Sequence, residues 1–211
     1  MEIRYFGANC VRVQTKKVGV VIDDNLDEIG QKSITKDSDI ALYTSKGDTL
    51  FKNKKPGNFL ADKPGEYEVS DISIKGIAAR SHMDEEGTKT AIVYRLIIDD
   101  IKIGVLGHIH PDLNDDQLEA LGMIDVLIVP VGGSGYTLDS VGALKLIKKI
   151  SPHIVVPTHY DDKKLKYDVP QAELEEVRKT LSMEPADQLD ELKIKGREFS
   201  EGTKLVILSR E

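Results

Sequence analysis

The chain is nearly without cysteine: Cys10 stands alone among 211 residues. A single thiol cannot close an internal disulfide, and without a Cys-x-x-Cys pair there is no thiolate metal or redox motif, so a reducing compartment, the cytoplasm, is expected. Positive charge is also short. Lys and Arg number 29 against 36 Asp and Glu, for a net charge of −7 and a pI near 5.3. That balance argues against nucleic acid or an anionic membrane as the main partner, because phosphate binding requires a positive surface. The basic run KNKK at 52–55 is short and reads as a solvated turn. No apolar stretch approaches the length that spans a bilayer, and MEIRYFGANC has neither a basic n-region nor a long apolar h-region, so nothing marks the chain for export. A small molecule is the remaining expected partner, and the oligomeric state is left open. Internal repeats, low-complexity tracts and linkers rich in Gly, Ser or Pro are missing as well. With 40% hydrophobic and 31% charged residues, residues 1–211 read as one domain with a sizeable core.

What is present is strand-rich at first and strand-helix later. Residues 2–6, 11–15 and 18–23 are short β-branched and apolar runs that predict a meander, and SDIAL predicts a short buried strand. PGEYEV and DISIKGIAA alternate around a turn at Ser70-Asp71, and TAIVYRLIIDDIKIGVLG gives two strands joined through Asp99-Asp100. DDQLEALG (115–122) predicts a short helix stopped by Gly122, preceded or capped by Asp112. IDVLIVPVGG is a near-continuous apolar run of the kind found in a strand covered on both faces. TLDSVGALKLIKKI is helical by spacing, with Leu138, Val141, Leu144 and Ile147 repeating and Thr137 or Asp139 as cap. PHIVVPTHY returns to a strand, PQAELEEVRKTLSM predicts a helix with Pro170 at its start, and KLVILS closes as a strand. The class is α/β with mixed sheets.

The segment GHIHPDL (107–113) invites a metal-site reading, because neutral imidazoles and a carboxylate are zinc ligands. Its setting changes that reading. YFGANC, PGEYEV with the following KGI, LGHIHPDLNDDQLEALGMIDVLIVPVGG, YTLDSVGALKLIKKISPHIVVPTHY and the DELKIKG…KLVILS ending occur in one order along nearly the whole chain. In this succession the chain resembles the metallo-β-lactamase superfamily, in particular its short lactonase-like bacterial members. The resemblance implies an αββα sandwich, two mixed sheets face to face with helices outside, and a site at one edge where loops from both sheets meet.

The same resemblance exposes departures. Where relatives carry H-x-H-x-D-H after an early strand, this chain reads YTSKGDTL, which puts Ser45, Gly47, Thr49 and Leu50 in the ligand positions. The usual Gly-His-Ser-Cys is Gly7-Ala8-Asn9-Cys10. His82 falls on the family's middle histidine and His159 on its last, while His108 falls on the aspartate that bridges two metals. Two divalent cations about 3.5 Å apart repel by roughly 19 kcal/mol at an effective dielectric of 20, so a dinuclear site needs bridging anions. Thr49 and His108 supply none. The first expectation is therefore a divergent, non-hydrolytic member that lost the dinuclear zinc site, a scaffold or small-ligand binder with no cofactor. The alternative is a hydrolase of an ester, lactone or phosphoester holding one zinc or manganese on His82, His108 and His159, with Asp48 or Asp112 as base.

The remaining candidates have plainer accounts. His110 could substitute as a ligand, but its segment runs into Pro111; His153 is expected at the surface. Asp23 and Asp24 read as turn residues. GGSGY at 132–136 lacks the second glycine of a nucleophile elbow and the lysine of a phosphate loop, and reads as a loop at the site's edge. Cys10 reads as a small buried side chain at a hairpin.

Overall fold

Segments that alternate apolar and polar residues bury one face only as strands, and the first half of the chain is made of such segments. The computed structural model describes residues 1–47, 50–183, 185–196 and 199–211. Within these, β1 (Glu2–Gly7), β2 (Cys10–Gln14) and β3 (Gly19–Ile22) form the expected antiparallel meander. The buried β4 (Ile40–Leu42) runs parallel to β3. β5 (Phe59–Ala61), three residues long and without a readable pattern, lies parallel beside it. β13 (Leu192–Lys193) pairs with β1 and completes a six-stranded sheet.

The second sheet begins with two hairpins where they were expected. β6 (Gly65–Val69) and β7 (Ile72–Ala79) turn through Ser70 and Asp71, at φ of 53° and 62°. β8 (Ala91–Ile98) and β9 (Ile101–Val105) turn through Asp99 and Asp100, at 49° and 66°. Both central residues of each turn are left-handed, the geometry that matches the twist of paired strands. The chain then alternates helix and strand, giving α1 (Asp115–Leu121), β10 (Val126–Pro130), α2 (Ser140–Ile150), β11 (Ile154–Thr158), α3 (Leu174–Leu181), β12 (Pro185–Leu189) and β14 (Lys204–Leu208). The parallel half is ordered β12-β14-β11-β10-β9, continuing antiparallel through β8, β7 and β6.

Ile3, Val11, Val20 and Ile40 of one sheet and Ile74, Leu96, Val105, Ile128 and Val155 of the other belong to one continuous apolar core. The sheets therefore meet face to face as an αββα sandwich. α1 packs on β7 and β8, α2 on β10, and α3 on α2. The outer side of the six-stranded sheet is packed by a 3₁₀ turn at Leu26–Ile29, where Leu26 joins Cys10 and Val21. Cys10 is fully buried, as expected of it. Among the described residues no helix is long and apolar enough to cross a membrane.

Several local readings need correcting. The cap of α1 is Asn114, not Asp112: its side chain accepts the Gln117 N–H at 2.9 Å while Gln117 accepts the Asn114 N–H. That reciprocal pair satisfies two free donors of the first turn. Asp112 instead pairs with Lys145. α2 is capped by Asp139 through the Gly142 N–H at 2.7 Å, but its inward stripe is Gly142, Ala143, Leu146 and Ile147, and Val141 is 65% exposed. A helix that starts at Ser140 turns 3.6 residues per revolution, so a strict three-residue spacing drifts off the core face. Pro170 does not start α3. The stretch after it is held extended by bonds from the Ala172 N–H to the Gly132 carbonyl and from the Asp161 N–H to the Ala172 carbonyl, and the helix begins only at Leu174. Lys54 in KNKK is not solvated, for its side chain is only 8% exposed.

Candidate functional site

The loops that leave β1, β3, β4, β9, β10 and β11 converge at one edge of the sandwich, and a buried polar network fastens them. Asp23, fully buried at the end of β3, accepts the Thr44 N–H at 2.7 Å, the Thr44 hydroxyl at 2.6 Å and the Asn9 amide at 2.7 Å. Asn9 in turn accepts the Thr158 hydroxyl at 2.6 Å, and the His159 N–H donates to the Ala8 carbonyl at 2.7 Å. Asn9 thus links Asp23 on one sheet to Thr158 on the other. Asp23 is more than the turn residue expected. Burial pushes its carboxyl up to about 6, and the three donors limit that rise.

Three residues of this edge, Ala8, Asp23 and His159, take left-handed backbone conformations at φ of 47°, 47° and 56°. Such conformations cost about 1–3 kcal/mol each in residues other than glycine and gather at working sites. In His159 the conformation sets the ring at the mouth of the edge. Its Nδ1 meets Gln171 Oε1 at 3.0 Å, and its ring stacks on Tyr167 with centroids 5.4 Å apart. Burial brings His159 down to about 4, only partly offset by the Gln171 bond, so the imidazole is uncharged at neutral pH.

His108 follows β9 and is 1% exposed. Its ring is enclosed by Tyr136, His159 and Phe51, at centroid distances of 4.9, 5.0 and 5.9 Å. Among the described residues neither ring nitrogen has a hydrogen-bond partner, and burial holds its basicity well below the usual range. The structure thus brings His108 and His159 together. His82 donates its backbone N–H to the His108 carbonyl at 2.9 Å, but its ring lies against His110, 5.9 Å away. Among the described residues no group of three His, Cys, Asp or Glu side chains is arranged to hold a metal ion. His153 is exposed as expected, stacked on Phe199. Thr49 and Asp48 lie outside the described residues.

The loop after β4, where the metal motif was expected to be missing, is organised by a lysine. The Lys54 ammonium donates to the carbonyl oxygens of Ser45 and Gly47, pairs with Asp62 at 3.1 Å and stands 5.5 Å from the Tyr43 ring.

Beside His159 opens a pocket of about 270 Å³, lined by Asn25, Glu28, Tyr136, Tyr167, Asp168 and Gln171 among others. The Tyr167 hydroxyl accepts the Ala8 N–H at 3.0 Å, which fixes that wall. Tyr136 is raised from its ordinary pKa by burial first, then by the negative charges of Asp23, Glu28 and Asp168. GGSGY is indeed an edge loop of this site, and its tyrosine is the residue the sequence reading passed over. Tyr167, Gln171 and Lys54 were also missed. Each acts through partners on a different loop or strand, seven or more residues away, at no spacing that a local pattern reads.

Comparison with known proteins agrees with this architecture. The family described as "Beta-lactamase superfamily domain" matches residues 2–159. No curated protein matches. Among solved structures, a Thermotoga maritima protein named as a candidate zinc-dependent hydrolase of the metallo-β-lactamase superfamily is 25% identical, with a TM-score of 0.71 over 100% of this chain and 99% of its own. A candidate metal-dependent hydrolase of Parabacteroides distasonis is 17% identical, with a TM-score of 0.63 over 99% and 93%. A metallo hydrolase of Ignicoccus hospitalis is 19% identical, with a TM-score of 0.56 over 86% and 90%. The last two bear on the fold alone. On its own sequence match over residues 2–159, far more than half its length, the chain belongs to the beta-lactamase superfamily.

Proposed function

We propose that this chain is a member of the superfamily that has given up dinuclear metal chemistry and binds a small molecule in the pocket beside His159. The observation that carries this reading is Lys54. In the loop that would supply metal ligands, an ammonium group is bonded to the carbonyls of Ser45 and Gly47 and paired with Asp62. A fixed ammonium there takes up the loop's carbonyl oxygens and the Asp62 carboxylate, so those oxygens are already engaged and are not left for a divalent ion. The donor set agrees: Ser45 and Gly47 are not metal ligands of the required kind, and His108, with a neutral ring, brings no bridging charge. These residues do not fit a dinuclear centre.

One observation favours a second reading. Among the described residues both nitrogens of His108 are buried without partners next to His159, and buried polar atoms are ordinarily satisfied. A single zinc or manganese on these histidines would use them in hydrolysis of an ester, lactone or phosphoester. Metal analysis separates the two readings. Protein purified without chelator from zinc- or manganese-supplemented culture should carry less than about a tenth of an equivalent. Stoichiometric metal that is lost in His108→Ala and kept in His153→Ala would overturn the proposal in favour of the hydrolase.

A further inference from the structure

The two ring nitrogens of His159 stand in different circumstances. Nδ1 lies 3.0 Å from Gln171 Oε1, and the far end of that carboxamide decides where the ring hydrogen is. Gln171 Nε2 donates to the Val169 carbonyl at 2.7 Å. A carbonyl oxygen only accepts, so the NH2 group faces Val169 and the amide oxygen faces the ring. The amide oxygen also only accepts, so His159 Nδ1 carries a hydrogen, and in the neutral ring Nε2 keeps the lone pair. Among the described residues Nε2 makes no hydrogen bond, and unlike both nitrogens of His108 it is not shut off from solvent. His159 lines the pocket described above.

The surroundings of Gln171 are shaped for this bond. Residues 162–171 form a loop whose ends are tied where the Asp161 N–H donates to the Ala172 carbonyl at 2.9 Å. Compact loops with joined ends are frequently functional. Next to Gln171, the Ala172 N–H is bonded to the Gly132 carbonyl at 2.9 Å. A Cβ on Gly132 would stand 2.0 Å from Gln171 Oε1, so glycine leaves the amide oxygen its place. Tyr167, from the same loop, stacks on the His159 ring at 5.4 Å and resists its rotation.

We propose that Gln171 is a positioning residue that holds His159 in its Nδ1–H form, so that Nε2 accepts a hydrogen bond from an O–H or N–H group of the molecule bound in the pocket. This rests on the reading of the pocket as a ligand site. A molecule of the same shape without such a donor leaves the acceptor unpaired and binds less tightly.

Long-range nitrogen–proton NMR correlation at pH 7.5 tells a protonated ring nitrogen from an unprotonated one. The wild type should show Nδ1 protonated and Nε2 not. Gln171→Leu should lose that preference, and Gln171→Glu, which keeps an acceptor, should retain a protonated Nδ1, with circular dichroism verifying each fold. Phenol and anisole, alike in shape except that the ether has no donor, are then titrated against the whole chain. Phenol should bind about three- to tenfold more tightly, shift the Nε2 resonance, and lose most of that advantage in Gln171→Leu. An Nε2–H form in the wild type, or the wild-type form unchanged in Gln171→Leu, overturns the positioning role. Anisole binding as tightly as phenol overturns the acceptor role of Nε2. The expected ring forms with neither probe moving the His159 resonances overturn the reading of the pocket as a ligand site and leave the positioning of His159 standing.

Discussion

Replacing Asn9 with alanine removes the single side chain that joins Asp23 on one sheet to Thr158 on the other. Asn9 is 1% exposed, and the two bonds it makes, at 2.7 Å and 2.6 Å, are buried. Loss of the amide donor takes one of three hydrogen bonds from a carboxylate with no water to replace it, and bonds to charged groups contribute about 1.5–3 kcal/mol. The Thr158 hydroxyl is left without its acceptor at a cost of about 1–2 kcal/mol. Because Asp23 can relieve its loss by taking up a proton, the expected total is about 3 kcal/mol at pH 7.5. The sign of the pH dependence follows. Removing a donor to the ionised form raises the Asp23 pKa above its value of about 6, so the penalty is largest where Asp23 must be charged and shrinks as pH falls below that value. Urea unfolding at pH 7.5 and pH 5 measures this directly, with an unchanged m-value as the check that only stability has moved. A penalty under about 1 kcal/mol that is the same at both pH values would refute the account of the network.

The wild-type pH profile should carry opposing contributions from the same edge. Asp23, raised to about 6, stabilises below its ordinary value of 3.8, and this is lost as pH rises through 6. His159, lowered to about 4 from 6.5, stabilises above 6.5, and this is lost as pH falls through 4. Each amounts to about 3 kcal/mol at 1.36 kcal/mol per unit, so they nearly cancel. His108, depressed like His159, tips the net slope toward instability in acid; Asp23→Asn should make that slope steeper, and a profile flattened by the substitution would contradict the assignment. Lys54→Met keeps the aliphatic stem but strips the loop after β4 of its ammonium, and should cost about 2 kcal/mol in urea unfolding, because Asp62 remains partly hydrated. A neutral effect would show that the ammonium does not organise the loop. Gly132→Ala places a Cβ 2.0 Å from both the His159 carbonyl oxygen and Gln171 Oε1. The backbone must shift, and loss of about 2 kcal/mol or more with altered His159 ring resonances is expected; an unperturbed His159 spectrum would count against the tight seating.

The hairpins were legible because β-turn chemistry and two-residue alternation are local. Ser70-Asp71 and Asp99-Asp100 sit between alternating runs, and both turned where expected. The strand order of the parallel half was not legible, since apolar runs such as VLIVP show burial but not neighbours. From the sequence alone the family resemblance puts Ser45 and Gly47 in the ligand slot, His82 and His159 on two retained histidine positions and His108 on an aspartate position, because identity at a position needs no coordinates. Only the tertiary structure decided which side chains share a space. It put His108 against His159 and Tyr136 while leaving the His82 ring with His110, and it turned an apparently solvated lysine into the internal cation of the loop after β4. The reason is physical: burial, hydrogen-bond partnership and ring contact are set by which strand ends converge at the sandwich edge, and those residues lie as far apart in the chain as Asn9 and Thr158.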